Sequence, residues 1–101
     1  MYAYLIVNIE VSDPTAYEEY KAGTPAILAR HGGEYIVRGG SWEAFEGDWR
    51  PSRLVIIRFP SLKAIRAFMD DPEYAPLKAL RHTLARTDMI AVDGVRDPLV
   101  S

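Results

Sequence analysis

The side chains able to do chemistry in this chain are gathered in a few short stretches. In RGGSWEAFEGDWRP, residues 38–51, Arg38 precedes Gly39 and Gly40. Paired glycines after a strand residue permit a bulge or sharp bend, from which Arg38 and neighbouring amides could be aimed at a carboxylate or phosphate. The alternative is a bent hairpin with Arg38 in a structural ion pair. EGDWRP reads as a turn in which Gly47 takes positive φ and Asp48 bonds nearby amides. Trp49 is then a lid over a cavity or, preferably, an anchor reaching into a partner. Glu46 and Asp48 could form a general acid and base pair, although adjacent carboxylates in an exposed turn are ordinarily solvated.

His31 and His82 are the only imidazoles, and neither has a second histidine or a carboxylate at the i, i+4 spacing of helical metal motifs. No metal and no cofactor is expected, and haem is disfavoured because neither histidine has a recognisable axial-ligand setting. The absence of cysteine excludes disulfides, thiolate nucleophiles and Cys-based metal centres. His31 follows Arg30 at a predicted helix end, where a cation complements the helix dipole.

The elements that must position these groups follow from periodicity. Ala3, Leu5, Val7, Ile9 and Val11 alternate with Tyr2, Tyr4, Ile6, Asn8 and Glu10, which predicts a strand. SDP starts a helix, with Asp13 or Ser12 as cap and Pro14 in its first turn. Tyr17, Tyr20, Ile27 and Leu28 share a stripe, and GTP at residues 23–25 is expected to kink that helix or restart it with Thr24 as a second cap. Gly32 closes it in the left-handed conformation. Strands are predicted at 33–38 and 53–59. Ser61 caps a helix bearing Leu62, Ile65, Phe68 and Met69, and DDP opens a further helical segment with Leu77, Leu80 and Leu84. A fourth strand is predicted over 89–95, followed by a polar tail.

The order β, α, β, β, α, β predicts an α+β, ferredoxin-like sandwich: a four-stranded antiparallel sheet with helices on one face. With 101 residues the chain forms one core, taken as one domain over 1–95 with a tail at 96–101. Twelve basic residues are scattered among fourteen acidic ones, so a nucleic-acid footprint is missing. No apolar run reaches the length of a membrane span, and the N-terminal stretch is unlike a signal peptide, so a cytoplasmic location is expected.

Two faces of the sheet are expected to be apolar. Ala3, Leu5, Val7, Ile9, Val11, Tyr35, Val37, Val55, Ile57, Phe59, Ile90 and Val92 are assigned to the helix side. The other side takes Tyr2, Tyr4, Ile6, Ile36, Leu54, Ile56, Met89 and Ala91, with Arg38 and Arg58 among its charges. So apolar a face requires cover, and the economical cover is a second copy in a two-fold dimer.

YLIVNIEVSDPTAYEEY, HGGEYIVRGG, FEGDWRPSRLVIIRFPS, the PEY and Arg81 region, and IAVDGV together resemble the DUF1330 family of uncharacterised proteins within the dimeric α/β-barrel superfamily. One departure is Thr87 in RTDM, where the pattern would carry Ser. The resemblance implies a ferredoxin-like protomer whose sheet joins its partner's in a closed barrel. It also implies that Arg81 and Tyr74 converge with Arg38 on a small apolar cavity lined by Tyr17, Tyr20, Phe59 and Phe68. His82, beside Arg81 on a helix that would cover such a cavity, is the candidate general base.

Two functions follow as expectations. One is a homodimer whose protomers each bind a small anionic or aromatic molecule, held by Arg38 and Arg81 with Tyr74 or His82 handling a proton. The other is a structural or stress-associated dimer without chemistry, in which these residues serve folding.

Overall fold

The computed structural model describes residues 2–95; the tail assigned to 96–101 lies outside the described residues. Its elements are β1 (Ala3–Val11), α1 (Pro14–Arg30), β2 (Glu34–Arg38), β3 (Leu54–Phe59), α2 (Leu62–Met69), α3 (Ala75–Leu84) and β4 (Ala85–Asp93). The sheet order is β2-β3-β1-β4, with every neighbouring pair antiparallel.

Local chemistry sets most boundaries. The Asp13 carboxylate accepts the Ala16 amide at 3.1 Å and the Ser61 hydroxyl accepts the Ala64 amide at 3.0 Å, so each satisfies an orphan donor of its helix N-terminus. Gly32 (φ 79°) ends α1 in the left-handed region, as its position predicts. The expected break at GTP does not occur, because α1 runs unbroken through Pro25. Thr24 does not cap a second helix; its hydroxyl donates to the Tyr20 carbonyl at 2.7 Å, a back-bond within the same turn.

Alternation along β1 and β3 holds residue by residue. Ala3, Leu5, Val7, Ile9, Val55, Ile57 and Phe59 are buried under Tyr17, Ile27 and Leu28 of α1, Ile65 and Phe68 of α2, and Tyr74 just before α3. Each fully buried large side chain contributes roughly 1.5–3 kcal/mol, so this layer is the main source of stability.

Two strands depart from the expected faces. Strand β4 begins at Ala85, immediately after α3, and its register sets Leu5 opposite Ala91, Val7 opposite Met89, Ile6 opposite Ile90 and Tyr4 opposite Val92. Met89 and Ala91 therefore lie on the helix side, and Ile90 and Val92 on the open side, the reverse of expectation. Both faces of β4 are apolar, so its own pattern cannot choose between them; pairing to β1 does. In β2, a bulge between Tyr35 and Val37 sets Val37 opposite Ile56 and Arg38 opposite Val55. One extra residue inverts the parity, so Arg38 joins the helix side and Val37 the open side.

On the open face, Ile6 pairs laterally with Ile56 and Ile90. Tyr2, Ile36, Ile90 and Val92 are exposed there. Arg58 bonds Glu34 at 2.7 Å and lies 4.4 Å above the Tyr2 ring, so its charge is met within the same chain. No helix among the described residues is long and apolar enough to cross a membrane.

Candidate functional site

Between the sheet and the helices, the two-layer packing leaves a narrow cavity of about 40 Å³. Its floor is Leu5, Val7, Val55 and Ile57; Tyr17, Tyr20 and Leu28 of α1, Phe68 of α2, and Tyr74 and Arg81 cover it. Tyr17 stacks on Tyr20 with centroids 5.1 Å apart, Tyr20 tilts against Tyr74 at 6.2 Å, and Phe68 meets Tyr74 at 4.4 Å. The Tyr20 and Tyr74 hydroxyls share a hydrogen bond of 2.5 Å. Burial, reinforced by the Tyr74 hydroxyl, pushes the Tyr20 phenol far above its ordinary value. Burial also raises Tyr17, with Arg53 and Arg81 pulling the other way. Both phenols are therefore neutral hydrogen-bonding groups around neutrality.

Arg81 occupies an apolar place. Tyr74, Leu77, Arg81 and Leu84 fall at helical spacings that share one stripe facing the sheet. The arginine is 4% exposed, and its Nε is buried without a hydrogen-bond partner among the described residues. An uncompensated buried charge is costly, so this guanidinium is a position where an anion would be stabilised.

Three more cations line the same space: Lys21, Arg38 and Arg53, and no carboxylate does so. Arg38 reaches it through the β2 bulge and rests 4.3 Å above the Tyr35 ring. Arg53 is placed by Asn8, whose side-chain oxygen accepts the Ser52 and Arg53 amides at 2.9 and 3.3 Å. Gly39 (φ 72°) lets the chain turn between these two arginines, and a Cβ there would meet Arg53 Nε at 2.8 Å. Lys21 and Arg53 went unread as site residues in the sequence. Their signals were present, since Arg53 shares the parity of Val55 and Ile57 and Lys21 lies one turn from both Tyr17 and Thr24.

Arg38, Arg81, Tyr17, Tyr20 and Tyr74 are thus brought together, and His82 and Trp49 are not. His82 is exposed on α3, outside the cavity, because it is rotated by about 100° from Arg81 around the helix. Trp49, 61% exposed, borders a shallow groove on the open face with Ile6, Leu54 and Ile90. Phe59 belongs to the core beside the cavity, its ring 5.7 Å from Phe68. Without an imidazole or carboxylate at the cavity, the lining can bind an anion and donate hydrogen bonds to developing negative charge. It lacks an ordinary general base. No cluster of three or more His, Cys, Asp or Glu side chains suited to a metal occurs among the described residues.

A clasp outside the cavity positions Tyr74. Asp71 Oδ2 accepts His31 Nε2 at 2.7 Å and Arg30 at 3.2 Å, while Oδ1 accepts the Glu73 amide at 2.8 Å. The Asp71 carbonyl accepts the Tyr74 amide at 2.9 Å, so one residue ties the end of α1 to the turn bearing Tyr74. The His31 hydrogen bond, then the Glu73 amide and the Arg30 charge, hold the Asp71 carboxyl below the usual carboxylate range. Its contribution to stability is present above the unfolded value of about 3.9 and is lost as pH falls through the lower folded value. Asp71→Asn is expected to lower the thermal midpoint at neutral pH and flatten its decline in that acid window. Melts of both proteins from about pH 6 to about pH 2 check this, and parallel curves would refute it.

The fold and site define a ferredoxin-like α+β domain with a cation-lined, aromatic-walled cavity beneath its helices. The chain belongs to the DUF1330 family, a domain of unknown function whose model matches residues 2–95. No curated protein matches it. Among solved structures it is similar to RPA0582, a protein of unknown function from Rhodopseudomonas palustris, at 18% identity and TM-score 0.74, covering 95% of this chain and 84% of that one. It is similar to SnoaB, a cofactor-independent oxygenase from Streptomyces nogalater, at 15% identity and TM-score 0.64, covering 96% of each chain. A dimeric ferredoxin-like protein of unknown function from Jannaschia sp. CCS1 aligns at 14% identity and TM-score 0.62, covering 93% of this chain and 100% of that one.

Proposed function

We propose that this protein is a cytoplasmic homodimer, paired through the open sheet face into an α/β barrel, whose protomers each bind a small organic anion in the cavity under α1. Residues 1–95 form the working unit. The observation that carries this reading is Arg81: a buried guanidinium with an unpartnered Nε, in a cavity whose lining holds further cations and no carboxylate. Arg81 holds the acid group inside and Arg38 stands at the exposed mouth, while Tyr20 and Tyr74 offer hydroxyls to a neighbouring oxygen. The Tyr17 ring at the cavity's edge accepts a flat, unsaturated or aromatic body lying outward from the acid group.

Any reaction performed there is cofactor-independent and works through donated hydrogen bonds and positive charge. The likeness to SnoaB is one of fold; it adds that another protein of this shape is a cofactor-independent oxygenase. A second reading, a structural or stress-associated dimer without chemistry, is favoured by the narrowness of the cavity and the dense ring contacts around it.

Thermal melts against a panel of aliphatic and aromatic carboxylates separate the two. Binding to the native state alone adds about 2.7 kcal/mol at a hundredfold excess over Kd, which a melt resolves readily. A midpoint that no carboxylate moves would leave the structural reading standing.

A further inference from the structure

Resting on the anion reading above, we propose that the ligand is a short dicarboxylate, with one carboxylate inside on Arg81 and the other at the mouth between Arg53 and Arg38. Volume supplies the first argument. A cavity of about 40 Å³ is small, and one water occupies roughly 10–15 Å³ on this measure, so the interior admits about three heavy atoms. That is the size of a carboxylate group, and the remainder of any ligand has to lie further out.

The space further out is shaped to receive it. Tyr17, Lys21 and Arg53 border the inner cavity and also an adjoining surface groove of about 260 Å³, completed by Val11, Pro14 and Glu18. A chain leaving Arg81 therefore passes along the Tyr17 ring before it meets Arg53.

Charge supplies the second argument. The one carboxylate at the groove, Glu18, is matched by Lys21 at 3.2 Å. Among the described residues, Arg38, Arg53 and Arg81 enter no ion pair. A single acid group seated on Arg81 would leave the two arginines at the mouth solvated but unpaired, whereas a second acid group at the far end of a short apolar spacer pairs with both. The spacer lies against the apolar surface of Val11, Pro14 and the Tyr17 ring in the groove.

Calorimetric titration with two homologous series tests this: malonate through adipate, and the monocarboxylates of the same chain lengths. One dicarboxylate is expected to bind at least about tenfold more tightly than its monocarboxylate counterpart, as an additional charge-assisted contact of about 1.4 kcal/mol implies. Arg53→Gln is expected to reduce that dicarboxylate to the affinity of the monocarboxylate while leaving the monocarboxylate unchanged. Arg38→Gln provides a second reading of the same loss should Arg53→Gln fold poorly. Equal affinity of the two series, or an advantage that survives both substitutions, would overturn the dicarboxylate and leave the anion site intact. Absence of binding by both series would overturn the anion site itself.

Discussion

Arg81→Met is expected to raise the thermal midpoint of the ligand-free protein and to abolish its stabilisation by carboxylates. The two effects share one cause. In the empty protein the guanidinium is taken out of water without a carboxylate partner, and its Nε has no acceptor among the described residues. Methionine keeps the length and flexibility to fill the space between Leu77 and Leu84 and removes the charge. Replacing buried ionic groups with apolar ones of similar volume is commonly neutral or stabilising by about 1–4 kcal/mol. In a domain of this size each kcal/mol moves the midpoint by about 4–8 °C.

The same change deletes the donor to the bound acid group, so affinity should fall by about a hundredfold. Arg81→Lys is the informative control, because it keeps a charge but loses the planar fork. Its ligand-free midpoint should stay near that of the native protein while its affinity drops. A destabilised Arg81→Met would show that the arginine is a structural strut, which is what the non-catalytic reading requires.

Ile6→Lys is expected to convert the proposed dimer to a monomer that remains folded. Ile6 sits mid-strand on β1, opposite Ile56 on one side and Ile90 on the other, so its side chain marks the middle of the apolar open face. In a face-to-face dimer the new ammonium would be buried without a partner, at a cost of several kcal/mol. The dissociation constant should therefore rise by about three orders of magnitude or more. The opposite face of the sheet, where Leu5 and Val7 meet the helices, is untouched, so secondary structure should persist. Sedimentation equilibrium over a range of concentrations reads the outcome. Lys63→Glu, at an exposed position of α2, should leave assembly unchanged. If Ile6→Lys left the assembly as it was, the open face would not be the interface.

Much of this molecule is legible in its residues taken a few at a time. Alternation marks β1 and β3 and assigns their two faces correctly, because a strand buried on one side has a period of two whatever it pairs with. Asp13, Ser61 and Gly32 announce helix ends for reasons confined to one turn of chain. Arg53, the parity mate of Val55 and Ile57, could have been found the same way. So could the oddity of Arg81 on the stripe of Tyr74, Leu77 and Leu84.

Other features depend on partners distant in sequence. Strand β4 is apolar on both faces, so only hydrogen bonding to β1 determines that Met89 and Ala91 face the helices. A single bulge in β2 turns Arg38 from the open face to the cavity, and alternation read through it inverts. α1 continues through Pro25 because the back-bond of Thr24 and the packing of Ile27 and Leu28 outweigh the loss of one amide donor. His82 and Arg81 are adjacent in the chain, yet the turn of α3 sends one to the surface and the other inward. The residues alone thus determined the order of the elements, the end signals at Asp13, Ser61 and Gly32, and a sheet apolar on both faces. The assembled tertiary structure decided which cations share the cavity, because strand register and helix rotation are set by pairing and packing across the whole core.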